Sequence, residues 1–220
     1  MAIVSLEVDS QRSFSSLCPE ELPVEDALSI VPELNYQATL ADFRVFSREM
    51  HSPKAPWVAR GKLKAGVKMD LPNIDSSWPA HAIVGTEGAE RLPGLPEPEH
   101  YDFLIYKGVE PSLHPYGVCF HDLQEKISTG FLEWLQQKRV HLLIVGGLAT
   151  DYCVRGSVVQ LLHHTKGVKI ILNLAACRGV APDTVALALD EMQKAGAIII
   201  KNRAELQAEI RAFKNREEKV

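Results

Sequence analysis

The chain has 220 residues, 46% of them hydrophobic, which is enough to bury the core of one α/β domain. Its formal net charge of −4 comes from 24 basic and 28 acidic residues in mixed order, so no basic face predicts nucleic acid as a partner. No apolar run approaches the roughly 20 residues that a membrane span requires, and we expect no membrane partner.

Short β-branched runs alternate along the chain with longer stretches of helical period. Runs such as LLIV and AIII are apolar on both faces, as the strands of a parallel sheet covered by helices must be. The first residues, MAIVSLEVDSQ, have no basic segment and no cleavage site, so we expect a strand there rather than a signal peptide. The predicted strands are 2–8, 43–47, 101–107, 141–146, 169–172 and 197–200.

Helices are predicted between these strands. Pro182 suits the first turn of one helix, and Gly196 suits its C-terminal end. The other predicted helices are 23–37, 130–138, 151–164 and a last one that begins near residue 202. This alternation predicts a three-layer α/β/α sandwich with a central, mostly parallel sheet.

The stretch from about residue 51 to 98 does not follow the alternation. It contains more than half of the 13 prolines and little periodicity. Loops beyond roughly 15 residues are usually functional or disordered. We therefore expect a long active-site loop insertion within a single domain that spans residues 1–220.

Reactive side chains stand at three strand ends, where ligands gather in a parallel α/β sheet. Asp9 follows the first strand, Lys107 ends the third, and Cys153 lies seven residues past LLIVG, in the first turn of a predicted helix. The helix dipole and a nearby lysine favour the reactive thiolate. A thiolate nucleophile, a carboxylate that passes its proton to a leaving amine, and backbone N–H groups near Ala149 and Cys153 that hold the oxyanion would form a cysteine hydrolase site.

Each of these residues also has a structural interpretation. Cysteine is often buried, an aspartate at a strand end is often a turn residue, and Lys107 can be a solvated strand end. Cys18, Cys119 and Cys177 have no basic or helix-terminal setting and are interpreted as structural. The cysteines form no CxxC pair, which is typical of a reduced, cytoplasmic setting. The sequence lacks the GxGxxG, Walker and GxSxG motifs.

Four segments in order, EVDSQRSF, WPAHAIVGTEGAE, YKGVEP and GGLATDYCV, carry a resemblance to a known family. From Val4 to about Ile200 the chain resembles the nicotinamidase/isochorismatase-like hydrolases, and within these the nicotinamidases (pyrazinamidases). The resemblance implies a triad of Cys153, Asp9 and Lys107.

The resemblance also implies an oxyanion hole and an aromatic pocket. A cis peptide between Leu148 and Ala149 would direct backbone N–H groups toward the oxyanion. The pocket would be formed by Phe14 and Trp78, with Tyr152 beside the nucleophile.

A divalent metal that holds the pyridine nitrogen of the substrate, directly or through water, is a further implication of the resemblance. The family pattern is Asp-x-His, a second His a few residues on, and the His of WPxH. Here the first element reads Glu-Met-His at 49–51, the last is His81, and residues 52–57 contain no second His. The predicted ligands are Glu49, His51 and His81, with Asp70 or Asp75 as candidates for a fourth. They suit zinc, with manganese or iron as alternatives. The structural alternative places Glu49 and His51 on a surface loop.

The predicted function is hydrolysis of nicotinamide to nicotinate and ammonia through a thioester on Cys153, in NAD salvage. One alternative is another isochorismatase-like amidase of unknown substrate, which a metal-free protein would favour. The other is a catalytically lapsed small-molecule binding protein on the same fold, against which the intact Asp9, Lys107 and Cys153 argue. The expected partner is the small-molecule substrate, and the resemblance is compatible with a homo-oligomer.

Overall fold

A parallel sheet forms the centre of the protein, which a computed structural model describes over residues 1–217. The last three residues of the predicted domain lie outside this range. The strands are β1 (Ala2–Val8), β2 (Phe43–Glu49), β3 (Lys68–Leu71), β4 (Ile74–Ser76), β5 (Phe103–Lys107), β6 (Val140–Leu148), β7 (Lys169–Arg178) and β8 (Ile198–Ile200). The helices are α1 (Val31–Ala38), α2 (Phe131–Gln137), α3 (Arg155–His164), α4 (Pro182–Ala195) and α5 (Arg203–Glu217).

Within residues 1–217 the central sheet has six strands in the order β5-β2-β1-β6-β7-β8, and all neighbouring pairs are parallel. Alternate residues of β6 face opposite layers. Leu143 and Val145 belong to the core under α2, α3 and α4, whereas Leu142 and Ile144 pack with α5. Because both faces of the sheet are buried, the sequences of its strands are continuous apolar runs. The three-layer α/β/α sandwich predicted from the sequence is confirmed.

Most predicted elements differ from the structure by a few residues at their ends, and two differ by more. The helix predicted at 23–37 is a 3₁₀ turn, Ala27–Ile30, followed by the shorter α1. Pro32 stands in the first turn of α1, where its missing N–H is tolerated, and its ring excludes an α-helical turn before it. The strand predicted at 169–172 continues through NLAAC to Arg178, because β7 stays paired with the long β6.

The segment from about residue 51 to 98 crosses the carboxyl end of the sheet. It contains the antiparallel hairpin β3–β4, which the sequence did not indicate because KMDL and IDS are short and mostly polar. The amide of His51 donates to the carbonyl of Ala82 at 2.9 Å, which ties the segment to the end of β2. Trp57 is fully buried in a small core of its own with Ala55, Val58 and Ile74. None of the helices described is long and apolar enough to span a membrane.

Candidate active site

Three ionisable side chains meet at the carboxyl end of the central sheet. Asp9 directly follows β1, Lys107 ends β5, and Cys153 lies in a π-helical turn, Thr150–Val154, between β6 and α3. Nζ of Lys107 lies 2.7 Å from Oδ2 of Asp9, and neither side chain is exposed to solvent. Sγ of Cys153 and carboxylate oxygens of Asp9 and Glu49 lie at most 4.8 Å from one another. The structure therefore brings together the three residues predicted as a triad.

Ser47, near the end of β2, fixes the carboxylate of Asp9. Its hydroxyl donates to Oδ1 of Asp9 at 2.6 Å and accepts from the amide of Asp9 at 3.1 Å. Asp9 has a φ of 42°, in the left-handed region that aspartate tolerates better than most side chains. Sequence reasoning missed Ser47, whose only signal is its place at the carboxyl end of the strand beside β1.

Burial and neighbouring charges oppose each other at Lys107 and Asp9. Burial disfavours the charged form of Lys107, yet Asp9, Cys153 and Glu49 hold the pKa of Lys107 above its ordinary value. Burial raises the pKa of Asp9, which Lys107 lowers and Glu49 raises further. Lys107 therefore stays protonated, and the carboxylate of Asp9 is a stronger base than that of an exposed aspartate.

Burial and neighbouring carboxylates act against ionisation of the Cys153 thiol. Burial raises its pKa well above the ordinary value; Lys107 lowers the pKa, and Glu49 and Asp9 raise it again. The helix end and the nearby lysine, which favour the thiolate, are therefore opposed by burial and by two carboxylates. The sequence shows the helix end, but it does not show the burial or the two carboxylates. Such a thiol needs a base beside it to become a nucleophile.

We expect Lys107→Met to slow the alkylation of Cys153 at neutral pH. Lys107 lowers the pKa of the thiol, so its removal raises that pKa and leaves less thiolate at any pH below it. The measurement is the rate of reaction with iodoacetamide as a function of pH. Lys62→Met, at an exposed position, is the control and should leave the profile unchanged. An unchanged profile in Lys107→Met would show that this cation does not act on the thiol.

Glu49, the last residue of β2, contacts Lys107 and Cys153 with one carboxylate oxygen and two histidines with the other. Its Oε1 lies 3.5 Å from both Nζ of Lys107 and Sγ of Cys153. Its Oε2 lies 3.1 Å from Nε2 of His51 and 3.2 Å from Nε2 of His81. Burial works against the charge of Glu49, but Lys107 and the histidines hold its pKa well below the ordinary value. Both side chains are buried, so the surface-loop alternative for Glu49 and His51 is wrong.

A third histidine, His114, forms a buried imidazole cluster with His51 and His81, whose ligand nitrogens lie at most 4.8 Å apart. Nδ1 of His81 donates to the carbonyl of Pro79 at 2.7 Å, which orients the ring so that Nε2 faces Oε2 of Glu49 at 3.2 Å and is the nitrogen available to a metal ion. Within residues 1–217, Nδ1 of His51 and both ring nitrogens of His114 have no hydrogen-bond partner. Each buried polar group left unpaired costs about 1–3 kcal/mol. These residues therefore fit a divalent metal ion.

Both His51 and His114 are suited to act as neutral ligands, because burial lowers the pKa of each, that of His114 well below the ordinary value. Neither Asp70 nor Asp75 joins the cluster in the part of the chain that is described. Asp70 is exposed on β3, and Asp75 accepts a hydrogen bond from the Tyr116 hydroxyl at 2.8 Å. Sequence reasoning missed His114, because the family pattern directs attention to residues near His51.

A cavity of about 160 Å³ has Cys153 in its wall. An engineered apolar cavity of about 150 Å³ holds benzene, so this one has the size for a single aromatic ring. Of the residues predicted for the oxyanion hole and pocket, four line the cavity: Phe14, Trp78, Ala149 and Tyr152. Leu148 lies in the core beside them, and the predicted cis bond between Leu148 and Ala149 is present. Tyr116 also lines the cavity and was not predicted.

The parallel sandwich with Asp, Lys and Cys at its strand ends defines a class of α/β hydrolases. Residues 7–204 match the model of the isochorismatase domain, and the chain belongs to the isochorismatase family. The chain is 33% identical over 129 residues to the nicotinamidase/pyrazinamidase of Mycobacterium tuberculosis, which covers 59% of this chain and 66% of that protein. It is 36% identical over 124 residues to the nicotinamidase of Escherichia coli, 56% of each chain. These alignments span less than two thirds of either relative.

Solved structures match over most of the chain. A nicotinamidase/pyrazinamidase from Acinetobacter baumanii superimposes with a TM-score of 0.80 and 25% identity, covering 91% of this chain and 96% of that one. The pyrazinamidase of Pyrococcus horikoshii, in complex with zinc, superimposes with a TM-score of 0.72 and 24% identity, covering 92% of this chain and all of that one. The resemblance to nicotinamidases stated from the sequence is confirmed.

Proposed function

We propose that the protein hydrolyses nicotinamide to nicotinate and ammonia through a thioester on Cys153, and so acts in NAD salvage in the cytoplasm. One observation carries the proposal. A single cavity, sized for one aromatic ring, has the thiol of Cys153 in its wall together with Glu49, His81 and His114. A carboxamide carbon and a ring nitrogen can therefore face the nucleophile and the histidine cluster at the same time. The names of the relatives support the same activity.

Asp9 is the group that moves the proton in this mechanism. It takes the proton from the Cys153 thiol as Sγ bonds to the amide carbon, and the backbone N–H groups of Ala149 and Cys153 receive the oxyanion. The C–N bond then breaks, and Asp9 gives its proton to the departing ammonia. Water attacks the thioester with Asp9 again as base, which releases nicotinate and restores the thiol. Lys107 keeps its charge throughout and holds the carboxylate in place at 2.7 Å.

Glu49, His51 and His81 would hold a divalent metal, for which we propose zinc, with manganese or iron as alternatives. When bound, the metal would supply a Lewis-acid partner for the pyridine nitrogen. The chain itself shapes the rest of the pocket. Trp78 and Tyr152 meet edge to face at 5.3 Å between ring centroids, so their rings form a rigid aromatic corner for the substrate.

Ammonia release from nicotinamide, with and without a chelator, tests the proposed function. We expect turnover that a chelator abolishes and that added zinc, manganese or iron restores. No turnover of nicotinamide by the metal-loaded protein would overturn the proposal. Good turnover of a different amide by a metal-free protein would instead identify a related amidase of the same family.

We expect His51→Ala and His81→Ala each to raise KM for nicotinamide strongly. The reason is that these histidines hold the group that positions the ring, whereas proton transfer at the thiol depends on Asp9. Alkylation of Cys153 should therefore remain close to normal in both variants. The measurements are steady-state kinetics and the iodoacetamide rate. Normal KM values in both variants would contradict the metal site.

A further inference from the structure

We propose that His114 is a protein ligand of the metal, so that the site consists of Glu49 and three histidines. The inference rests on the metal site of the proposed function and extends it to a residue that none of the four sequence segments contains. It concerns the metal-binding chemistry of the chain, and it can be tested without any measurement of hydrolysis.

The ring of His114 is held in place by packing. It lies in the segment between β5 and α2, and its amide donates to the carbonyl of Asn73, in the β3–β4 turn, at 3.0 Å. The ring stacks between two others, with centroids 5.4 Å from His51 at an interplanar angle of 9° and 6.2 Å from Trp78 at 11°. Trp57 meets it edge to face at 4.6 Å. The stack fixes the plane in which its nitrogens point.

The nitrogens of His114 have no partner in residues 1–217, although the side chain is only 2% exposed. One of them lies within 4.8 Å of ligand nitrogens on His51 and His81. Zinc–nitrogen bonds are about 2.0–2.1 Å long, so two nitrogens on one tetrahedral ion are about 3.4 Å apart. A pair of nitrogens at the 4.8 Å limit would have to close by about 1.4 Å, shared between two rings, to bind a common ion.

The charges around the cluster also favour a cation. In the part of the chain that is described, Lys107 is the one cationic side chain that contacts Asp9 and Glu49, so this buried group carries an excess of negative charge. Three imidazoles and one carboxylate form a nitrogen–oxygen ligand set that suits zinc.

Trp57 explains why the third histidine comes from a different segment. Its ring centroid lies 4.6 Å from those of both His51 and His114, so within residues 52–57 an indole ring, which offers no ligand nitrogen, lies beside His51. Gly108, with a φ of 65°, lets the chain turn toward His114 after β5, and a Cβ there would overlap the ring of His51. Residues 52–57 contain no second histidine, and His114, from the segment after β5, provides the third imidazole instead.

The test uses the full chain, stripped of metal and then loaded with zinc, with X-ray absorption spectroscopy to count bound imidazoles. We expect three in the wild type and two in His114→Phe, which keeps an aromatic ring in the stack and removes both nitrogens. Zinc affinity, measured by competition with a chromophoric chelator, should fall at least ~100-fold, more than the ~10–100-fold typical of losing an outer-shell partner. His121→Phe, in the same segment, is the control and should match the wild type.

Two imidazoles in the wild type would overturn the proposal, whatever the variants do. So would zinc affinity within ~10-fold of the wild type in His114→Phe, which would leave His114 as a packing or substrate-contacting residue. If His114→Phe does not fold, His114→Gln takes its place, with thermal unfolding of the metal-free protein as the check. A three-histidine zinc site without nicotinamide turnover would refute the proposed function alone. Turnover by a two-histidine site would refute the role of His114 alone.

Discussion

Replacement of Cys153 by alanine should abolish nicotinamide hydrolysis, with a loss on the order of 10⁶-fold, as when another hydrolase loses its nucleophile. Cys153 is the cysteine whose Sγ lies beside Asp9 and Glu49 and in the cavity wall. The measurement is the rate of ammonia release by the metal-loaded protein. Substantial activity in Cys153→Ala would refute the thioester mechanism.

The other cysteines provide matched controls for this variant. Cys119 is also fully buried, and burial raises the pKa of its thiol, but it lies in the core under α2 and α3. Cys119→Ala should therefore keep most of the activity, as should Cys18→Ala and Cys177→Ala. Mass spectrometry of the wild type quenched during turnover should find a nicotinoyl adduct on the peptide that contains Cys153. The same adduct on another cysteine would contradict the assignment.

The sequence could predict the positions of Asp9, Lys107 and Cys153, because the carboxyl ends of parallel strands share one edge of the sheet. Each of these residues lies in one of the family's sequence motifs and at or just after the end of a predicted strand, and the two signals together predict its place in the site. Glu49 was predicted only through the resemblance, because the predicted strand ended at residue 47, whereas β2 extends to Glu49. What the sequence could not show is their shared environment. The high pKa of the Cys153 thiol depends on burial and on two carboxylates from other strands.

Residues that act through packing between distant segments could not be predicted. His114 stacks on His51, which lies 63 residues earlier in the chain, and its place depends on the β3–β4 hairpin that holds its backbone. A sequence pattern relates residues that lie near each other along the chain. It does not detect a contact between two segments that are far apart in sequence. Ser47 was missed for a related reason, since a serine in a buried strand has no distinctive spacing. Its function becomes visible only when β2 lies beside β1.

Asp9→Asn should lower kcat by ~10²–10⁴-fold, the usual loss when a general base is removed. Asparagine keeps the shape and can still bond to Ser47, but it cannot take the proton of the Cys153 thiol. Glu7→Gln is a matched control, because Glu7 is a buried carboxylate on β1 whose partners, Arg44 and Tyr101, lie away from the thiol. Glu7→Gln should retain far more activity than Asp9→Asn.

The alkylation rate of the Asp9→Asn variant separates proton transfer from thiolate formation. The charge of Asp9 raises the pKa of Cys153, so its removal lowers that pKa, and iodoacetamide should react faster at neutral pH while hydrolysis collapses. The pH profile should change as well. Asp9 must be ionised to act as a base, so wild-type activity should fall as the pH drops through the raised pKa of Asp9. This decrease on the acid side of the pH profile should be absent from the residual activity of Asp9→Asn. A kcat within ~10-fold of the wild type, or an unchanged decrease on the acid side, would show that another group is the base.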